Sequence, residues 1–259
     1  MRIALLHLDL GNGPLGKNLL LLEQAASTAA AHGAQWVVTP ETALQGYFFY
    51  QNDPQASIPV QPQAELVSLQ QLALQKKLVL FLGCAEKDEV SGELFNSCLV
   101  VGVDGKICGR HRKIHSHGKG AEGWTTRGSE LQPVPCGEVT AGVLICADSY
   151  FEKNALQLKQ EGAQMLVVPA AWPPGHCGGP PEEAWKRCSR ESGLPVCVCN
   201  QTGQGGNLDL SQAQSAVVTE GEVRMAYAGK PAILLFDWEE ASGKVGKDSF
   251  QIHYLGGAQ

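Results

Sequence analysis

Three residues that together could cleave an acyl bond follow β-rich segments of this chain. Glu41 follows the segment WVVTP, Lys113 ends the segment KICGRHRK, and Cys146 ends the apolar run AGVLIC. A cysteine attacks a carbonyl as the thiolate, and the free thiol has a pKa of about 8.5. A carboxylate can accept the thiol proton and return it to a leaving amine, while an ammonium group stabilises the tetrahedral anion. These residue types therefore predict a nucleophile, a base and an oxyanion partner.

The residues after Cys146 are suited to stabilising a thiolate. The segment ADSYFEKNALQLKQEGA predicts a helix whose first turn lies directly beyond the cysteine. Asp148 or Ser149 can cap that turn, and the dipole at a helix N-terminus favours a nearby thiolate. The backbone N–H of Ala147 could donate to the oxyanion together with Lys113. A structural interpretation stays open, because cysteines are often packed and a Glu or Lys after a strand is usually solvated.

Composition limits the class of protein. The chain has 259 residues, of which 44% are hydrophobic and 18% charged, and its net charge is −6. This balance predicts an ordered globular protein, and the lack of a basic cluster argues against nucleic acid or an anionic membrane as a partner. The segment MRIALLHLDLG predicts a first strand, and no apolar stretch approaches the roughly 20 residues that span a bilayer.

The nine cysteines are spaced singly, without a Cys-x-x-Cys pair. This spacing argues against a zinc ribbon and against a thioredoxin-type redox site. Most of the cysteines lie within apolar runs, which is typical of reduced thiols. We therefore predict a cytoplasmic protein.

Amphipathic helices alternate with β-rich segments. The helices are predicted at Lys17–His32, Ala64–Lys76, Phe151–Glu161 and Pro181–Ser192. Hairpins are predicted around Asp104-Gly105 and Glu220-Gly221. The similar segments GAQWVVTP and GAQMLVVP suggest internal pseudo-symmetry, with a proline where each strand stops pairing. We predict one α/β domain over residues 1–259, with mixed sheets, outer helices, and ligand-binding residues at the carboxyl ends of strands.

The order of these motifs resembles the nitrilase superfamily of carbon–nitrogen hydrolases over nearly the whole chain. TPETALQGY is similar to the motif of the family's general-base glutamate, which falls on Glu41. FNSCLVVGVDGKICGRHRKIH is similar to the hairpin of the catalytic lysine, here Lys113, and GVLICADSYF to the nucleophile turn, here Cys146. The family's second glutamate falls on Glu122 in GAEGW, and RCSRESGLPVCVCNQTG resembles a further motif with a structural role.

The resemblance implies an architecture and a set of partners. The fold is expected to be a four-layer α-β-β-α sandwich, commonly a homodimer that packs helices around the active-site side. No metal or organic cofactor is expected, and the partner is expected to be a small-molecule amide.

Two departures from the family's pattern bear on the substrate. Branches that hydrolyse amides or carbamoyl groups of acids often have Arg where this chain has Tyr150. Nitrile hydrolases usually have Trp-Glu where it has Ala147-Asp148. The sequence therefore favours a small linear amide over a nitrile, and a neutral amide over one with a carboxylate.

The residues expected to contact the substrate are Tyr47, Ala147, Tyr150 and Trp172, with His176 as a further candidate. His176 lies in the segment PPGHCGGPP, whose composition predicts an ordered loop or a flap. Arg127, Lys119 and His176 are the groups that could replace the missing arginine.

Three alternatives to the amidase interpretation remain. An N-carbamoyl or nitrile hydrolase would use the same Glu, Lys and Cys. A Cys–His hydrolase would take His115 or His117, in the segment KIHSHGKG, as its base. A non-catalytic binding protein on the same fold would not need the three residues, and their presence argues against it.

Overall fold

Strands and helices alternate along the chain in the computed structural model, which describes residues 1–175, 179–205, 208–239 and 242–255. Its strands are β1 (Arg2–His7), β2 (Trp36–Val38), β3 (Val79–Lys87), β4 (Leu94–Val101), β5 (Ile107–Arg112), β6 (Val134–Cys136), β7 (Val139–Val143), β8 (Met165–Ala170), β9 (Val196–Asn200), β10 (Gln204–Gly205), β11 (Leu208–Asp209), β12 (Ser215–Thr219), β13 (Glu222–Tyr227), β14 (Ala232–Glu239), β15 (Lys244–Val245) and β16 (Gln251–Tyr254). Its α-helices are α1 (Leu15–Ala31), α2 (Phe49–Asn52), α3 (Val67–Lys76), α4 (Glu152–Gln160) and α5 (Pro181–Ser192). Short 3-10 turns lie at Ala64–Leu66, Gly120–Glu122 and Cys146–Tyr150.

The strands form two large mixed sheets. The first has the order β15-β14-β1-β2-β3-β4-β5, with β16 also paired to β14. The second has the order β13-β12-β9-β8-β7-β6. The centre of each sheet is parallel, through β1-β2-β3 in the first and β7-β8-β9 in the second. The carboxyl ends of three central strands therefore share one edge in each sheet.

Alternate residues of the central strands pack into two different cores. On β1, Ile3 and Leu5 face the core between the sheets, while Ala4 and Leu6 face the outer core with α1 and α3. This follows from the two-residue period of a strand that is buried on both sides. Helices α4 and α5 cover the other sheet, and Trp185 of α5 is fully buried there. The predicted four-layer α-β-β-α arrangement is confirmed.

The helices and hairpins lie close to their predicted positions. Gly33 and Gly162 follow α1 and α4 with φ of 84° and 101°, a conformation that glycine adopts at little cost. The turn of the β12–β13 hairpin has Glu220 and Gly221 at φ of 56° and 75°, as a two-residue turn with positive φ requires. Helix α5 begins at Pro181, as predicted, and His176 lies outside the described residues.

Two local predictions are wrong. Pro169 does not end its strand, because it lies within β8 and pairs in register with Cys199. The helix expected directly after Cys146 begins only at Glu152. A five-residue 3-10 turn intervenes, and Phe151 is extended, with φ of −105° and ψ of 102°. In the part of the chain described here, no helix combines the length and apolar character needed to cross a membrane.

Candidate active site

The predicted site residues meet where the carboxyl ends of the two sheets face each other. Strand β5 runs in the same direction as β3, because each pairs antiparallel with β4. Glu41 follows β2 and Lys113 follows β5, so both lie at the same edge of the first sheet. Cys146 follows β7 at the corresponding edge of the second sheet. The Glu41 N–H donates to the carbonyl of Ala170, at the end of β8, over 3.4 Å and so joins the two edges.

A glycine on β3 allows the Glu41 segment to lie against the sheet. A Cβ atom added at Gly83 would lie 2.1 Å from the carbonyl oxygen of Pro40. The Gly83 N–H donates to the Thr39 hydroxyl over 2.9 Å, which holds the segment in place. A larger residue at this position would displace Glu41.

Lys113 lies between two buried carboxylates. Its Nζ donates to Glu41 Oε1 over 2.6 Å and also to Glu122 Oε1. None of these three residues is more than 2% exposed. Burial opposes the lysine charge, but the carboxylates of Glu122 and Glu41 outweigh it and raise the pKa of Lys113 well above its usual value. Lys113 is therefore a fixed ammonium group.

Glu41 is the carboxylate whose proton affinity suits a base. Burial raises the pKa of Glu41 to about 7, against the opposing effect of Lys113 and with a contribution from Glu122. Asn96 Nδ2 donates to its Oε1 over 2.7 Å, and the Ala171 N–H donates to its Oε2 over 2.9 Å. A carboxyl group with a pKa near neutrality can both accept and return a proton.

Glu122 behaves differently although it is also buried. Burial favours its neutral form, but Lys113 and the His117 N–H lower the pKa of Glu122 to about 2. Its Oε2 accepts from His117 N over 3.0 Å, and its Oε1 accepts from the Tyr47 hydroxyl over 3.1 Å. Glu122 is therefore a permanent anion that holds Lys113 in position.

Cys146 occupies a constrained turn. It is 4% exposed, and its φ of 47° lies in the left-handed region that non-glycine residues rarely adopt. The Ser149 hydroxyl donates to the Cys146 carbonyl over 2.7 Å and stabilises the turn. Such strained residues cluster at functional sites.

The environment of Cys146 holds it as a thiol, and the expectation that a helix end lowers its pKa is wrong. Burial raises the pKa of Cys146 well above its ordinary value, and Glu41 raises it further, against the opposing effect of Lys113. The expected helix is displaced to Glu152, so its dipole does not begin at the thiol. Deprotonation therefore needs a nearby acceptor, and Glu41 is suited to that role.

Asp148 joins the turn of Cys146 to the segment after Lys113. Its side chain is fully buried, and it accepts four hydrogen bonds of 2.7 to 3.0 Å, from the backbone N–H groups of Ile145, Ile114 and His115 and from the His111 ring. Burial opposes its charge, but these donors, with His111 foremost, lower the pKa of Asp148. This carboxylate fixes the nucleophile relative to the lysine.

A cavity of about 320 Å³ reaches Cys146 and contains most of the predicted contact residues. Tyr47, Ala147 and Trp172 lie on its walls with the cysteine. Tyr150 does not, and it lines an adjoining cavity that shares Ala147 and Trp172 with the first. We call these the thiol cavity and the Tyr150 cavity.

Asn200 fixes one wall of the thiol cavity. Its Oδ1 accepts from Trp172 N and its Nδ2 donates to Trp172 O, each over 2.9 Å. The segment VCVCNQTG, singled out as structural, thus positions a wall of the site through the last residue of β9.

The two histidines of KIHSHGKG lie near the site in different settings. The His115 ring stacks on Phe151 with centroids 4.0 Å apart, whereas His117 lines the thiol cavity. Burial lowers the pKa of each ring. His117 contacts the buried cluster through its backbone N–H to Glu122.

Sequence reasoning missed three residues that hold the site together, namely the polar residues Asn96 and His111, and Gly83, against which the Pro40 backbone packs. Asn96 offered a signal, because a polar amide within the apolar strand FNSCLVV needs a buried partner. His111 offered none, because its partner Asp148 is distant in sequence. Among the described residues, no group of three or more His, Cys, Asp or Glu side chains could hold a metal ion.

Residues 2–233 match the carbon–nitrogen hydrolase family, and the chain belongs to that family. The nitrilase of Pyrococcus abyssi is 32% identical over 156 residues, which is 60% of this chain and 58% of that protein. The chloroplastic omega-amidase of Arabidopsis thaliana is 27% identical over 171 residues, 60% of this chain and 45% of that protein. These two alignments span about half of the length of the relatives.

Solved structures show the same fold. Nit3 of Saccharomyces cerevisiae, a member of branch 10 of the nitrilase superfamily, has a TM-score of 0.79 at 20% identity, covering 91% of this chain and 88% of that one. The NitN amidase of Nesterenkonia sp. AN1 has a TM-score of 0.79 at 22% identity, covering 94% of each chain. The predicted membership of the nitrilase superfamily and the predicted sandwich are confirmed.

Proposed function

We propose that this protein hydrolyses the C–N bond of a small linear amide through a thioester on Cys146, releasing ammonia or an amine. The observation that supports it most is the buried set of Glu41, Lys113 and Glu122 beside a thiol on a cavity wall. A fixed ammonium, a base with a pKa near 7 and a buried thiol are the groups that acyl transfer requires.

Acylation begins with the transfer of the Cys146 proton to Glu41. The sulfur forms a bond to the amide carbon, and the carbonyl oxygen takes up the negative charge. Lys113 and the Ala147 N–H stabilise this oxyanion. When the C–N bond breaks, Glu41 returns the proton to the nitrogen, so that the amine leaves neutral and the acyl group remains on sulfur.

Deacylation uses the same groups with water as the nucleophile. Glu41 takes a proton from the water, the new C–O bond forms, and the C–S bond breaks. The proton passes from Glu41 to the sulfur, which restores the thiol. Lys113 keeps its proton throughout, and Glu122 keeps Lys113 in place.

The named relatives support an amide as the substrate. They include omega-amidases of Arabidopsis thaliana and Mus musculus and a 2-oxoglutaramate amidase of Paenarthrobacter nicotinovorans. A structure of the Nesterenkonia amidase shows covalent addition of the acetamide moiety of fluoroacetamide at its active site cysteine. The relatives also include a citrullinase and a nitrilase, so carbamoyl compounds and nitriles belong in the test.

We also propose that the protein is a homodimer of single-domain chains in the cytoplasm. The homodimer is supported by Phe151 and Leu156, apolar residues that are 37% and 36% exposed beside the turn of Cys146 and on α4. The single domain is supported by the core that the two sheets share. The cytoplasm is supported by the eight free cysteines among the described residues. Analytical ultracentrifugation tests the dimer directly.

The experiment is a panel of small amides, with one nitrile and one carbamoyl compound, assayed for ammonia release. Mass spectrometry of the quenched enzyme should show an acyl adduct with amide substrates, located on Cys146 by peptide mapping. The Cys146→Ala variant is the matched control and should show neither product nor adduct. Turnover without a thiol adduct, or turnover that persists in the variant, would contradict the mechanism.

A further inference from the structure

Two cysteines that the proposed mechanism does not use lie where the edges of the two large sheets meet. Cys108 is on β5, the edge strand of the first sheet, and Cys136 ends β6, the edge strand of the second. The two strands are in contact. A Cβ atom added at Gly109 would lie 2.5 Å from the Val134 side chain, so the glycine allows β6 to approach β5 closely.

Cys108 is the extra residue of a β-bulge. Val100 pairs with Gly109 and Val101 pairs with Ile107, so Cys108 is left over between the two pairs. A bulge at the edge of a sheet re-aims the side chain of its extra residue. The side chains of Cys108 and Cys136 are hydrogen-bonded to each other, so a thiol of one sheet lies against a thiol of the other.

The two thiols differ in their access to solvent. Among the eight free cysteines that the structure describes, Cys108 alone is exposed. Cys136 is 8% exposed, and the proposed nucleophile Cys146 is 4% exposed. A small oxidant in solution therefore reaches Cys108 first, with Cys136 directly behind it.

The hydrogen bond between the thiols makes Cys108 the nucleophile of the pair. It lowers the pKa of Cys108, against the opposing effect of burial. The same bond, together with burial, raises the pKa of Cys136, so Cys136 keeps its proton and donates to the sulfur of Cys108. An accessible thiol with a lowered pKa beside a second thiol is the arrangement of peroxide-sensitive cysteines.

We infer that Cys108 is a site of oxidation by hydroperoxides, and that Cys136 converts the oxidised sulfur into a reversible disulfide that joins the two sheets. This modification is separate from the proposed amide hydrolysis and does not require it.

The reaction consumes one molecule of hydrogen peroxide in two steps. The Cys108 thiolate attacks one peroxide oxygen, the O–O bond breaks, and Cys108 becomes a sulfenic acid while the released hydroxide takes up a proton. The Cys136 sulfur then attacks the Cys108 sulfur. The S–S bond forms, the S–O bond breaks, and the departing hydroxide takes the Cys136 proton to give water. The two thiols lose two electrons in total, and the peroxide is reduced to two water molecules. A thiol reductant such as glutathione reverses the bond by exchange.

The disulfide lies at the edge of the sheets opposite to the active site. Cys108 is near the start of β5, whose far end leads into Lys113. Cys136 pairs with Val139 at the start of β7, whose far end leads to Cys146. The bond closes the loop of chain that carries the lysine, so it should stabilise the fold while leaving amide hydrolysis intact.

The test treats the purified full chain with a slight excess of hydrogen peroxide, blocks the remaining thiols, and digests the protein with trypsin and Glu-C without reduction. This digestion places Cys108 in residues 107–110 and Cys136 in residues 131–138, each as the only cysteine of its peptide. The two peptides should be linked by a bond that dithiothreitol cleaves. The oxidised protein should melt about 5 °C or more above the reduced protein and should still release ammonia.

Three variants assign the chemistry to the pair. Cys108→Ser should abolish both the link and the shift in Tm. Cys136→Ser should leave Cys108 as a sulfenic acid, which dimedone traps. Cys84→Ala, at a fully buried cysteine of β3, is the matched control and should keep the link and the shift in Tm.

The outcomes separate this inference from the proposed function. Oxidation that falls first on Cys146, with loss of ammonia release and without a link between the two peptides, would overturn the disulfide. A Cys108 that dimedone does not label in Cys136→Ser would overturn its role as the oxidised thiol. A linked pair in a protein that releases ammonia from no amide of the panel would support the disulfide and contradict only the proposed function.

Discussion

The reactivity of Cys146 depends on where its proton can go. Burial and the Glu41 charge keep the sulfur protonated, while Glu41 itself has a pKa of about 7. The resting pair is therefore a thiol beside a base, and the thiolate forms only as the amide is attacked. Two predictions follow from this arrangement, one for each partner.

Removing the sulfur should abolish turnover without unfolding the protein. In Cys146→Ala, the lost group is one small buried atom, so the free energy of unfolding should fall by only about 1 kcal/mol. Ammonia release by the variant and its urea unfolding curve are the two measurements. Wild-type ammonia release by a folded variant would remove Cys146 from the mechanism.

Replacing the base should lower kcat and remove one limb of the pH profile. Glu41→Gln keeps the shape but cannot accept a proton, so turnover should fall by roughly 100-fold or more. In the wild type, the base form of Glu41 is lost as pH falls below about 7, so kcat/KM for a neutral amide should fall about tenfold per pH unit below that value.

The histidines provide the control for that prediction. His115→Ala and His117→Ala should reduce turnover much less than Glu41→Gln and should keep the acidic limb. An indispensable histidine together with a replaceable Glu41 would transfer the role of base to that histidine.

At the scale of elements, the site depends on how two segments are fastened together. Lys113 follows an edge hairpin of one sheet, and Cys146 follows a central strand of the other. The fully buried Asp148 side chain connects these segments, because it accepts from Ile145 N in its own segment and from the His111 ring, Ile114 N and His115 N on the side of Lys113. Loss of this carboxylate should therefore affect both stability and the geometry of reaction.

Asp148→Asn should destabilise the protein and lower kcat together. Each oxygen of Asp148 accepts two of the four hydrogen bonds, so the NH₂ group of an asparagine would face two donors that it cannot accept from. The cost of unpaired buried groups is about 3 kcal/mol or more, and misplacement of the thiol should lower kcat at least about tenfold.

Urea unfolding and steady-state kinetics measure both effects. Asp248→Asn is the control, because it removes an exposed pair with Arg224 and should change stability by less than about 1 kcal/mol. Equal effects of the two substitutions would show that Asp148 is not a fastening group.

The sequence was informative where local chemistry decides the structure. Glycines after helices and Gly-containing turns marked the ends of elements, and motif order placed Glu41, Lys113 and Cys146 at strand ends. It was uninformative where partners are distant in the chain. The start of α4 was misplaced because the Asp148 carboxylate does not begin a helix. It accepts from Ile145 N at the turn of Cys146 and from Ile114 N beside Lys113. The position of Lys119 on the cavity wall likewise depends on a loop path that no local pattern specifies.

At the scale of the whole molecule, a buried histidine connects the two sheets behind the site. His7 ends β1 of the first sheet, and its Nδ1 lies 2.9 Å from the hydroxyl of Ser215 on β12 of the second. That hydroxyl also accepts from Asn200 N over 2.9 Å, and Asn200 holds Trp172. The contact between the sheets is thus continuous with a wall of the thiol cavity.

His7 should make stability depend on pH below neutrality. Burial lowers the pKa of His7 from 6.5 to about 4, so the folded protein keeps it neutral where the unfolded chain takes up a proton. Between about pH 6.5 and 4, the unfolded state therefore binds more protons, and the free energy of unfolding decreases as pH falls. The contribution is fully present above the unfolded pKa and amounts to about 3 kcal/mol when lost.

Urea unfolding at a series of pH values should show that this part of the slope disappears in His7→Asn, whose amide can still bond to Ser215. His253→Asn, on the edge strand β16, should remove much less of the slope, because His253 is only partly buried. Equal slopes for His7→Asn and the wild type would mean that His7 takes up its proton in the folded state and is not sealed between the sheets.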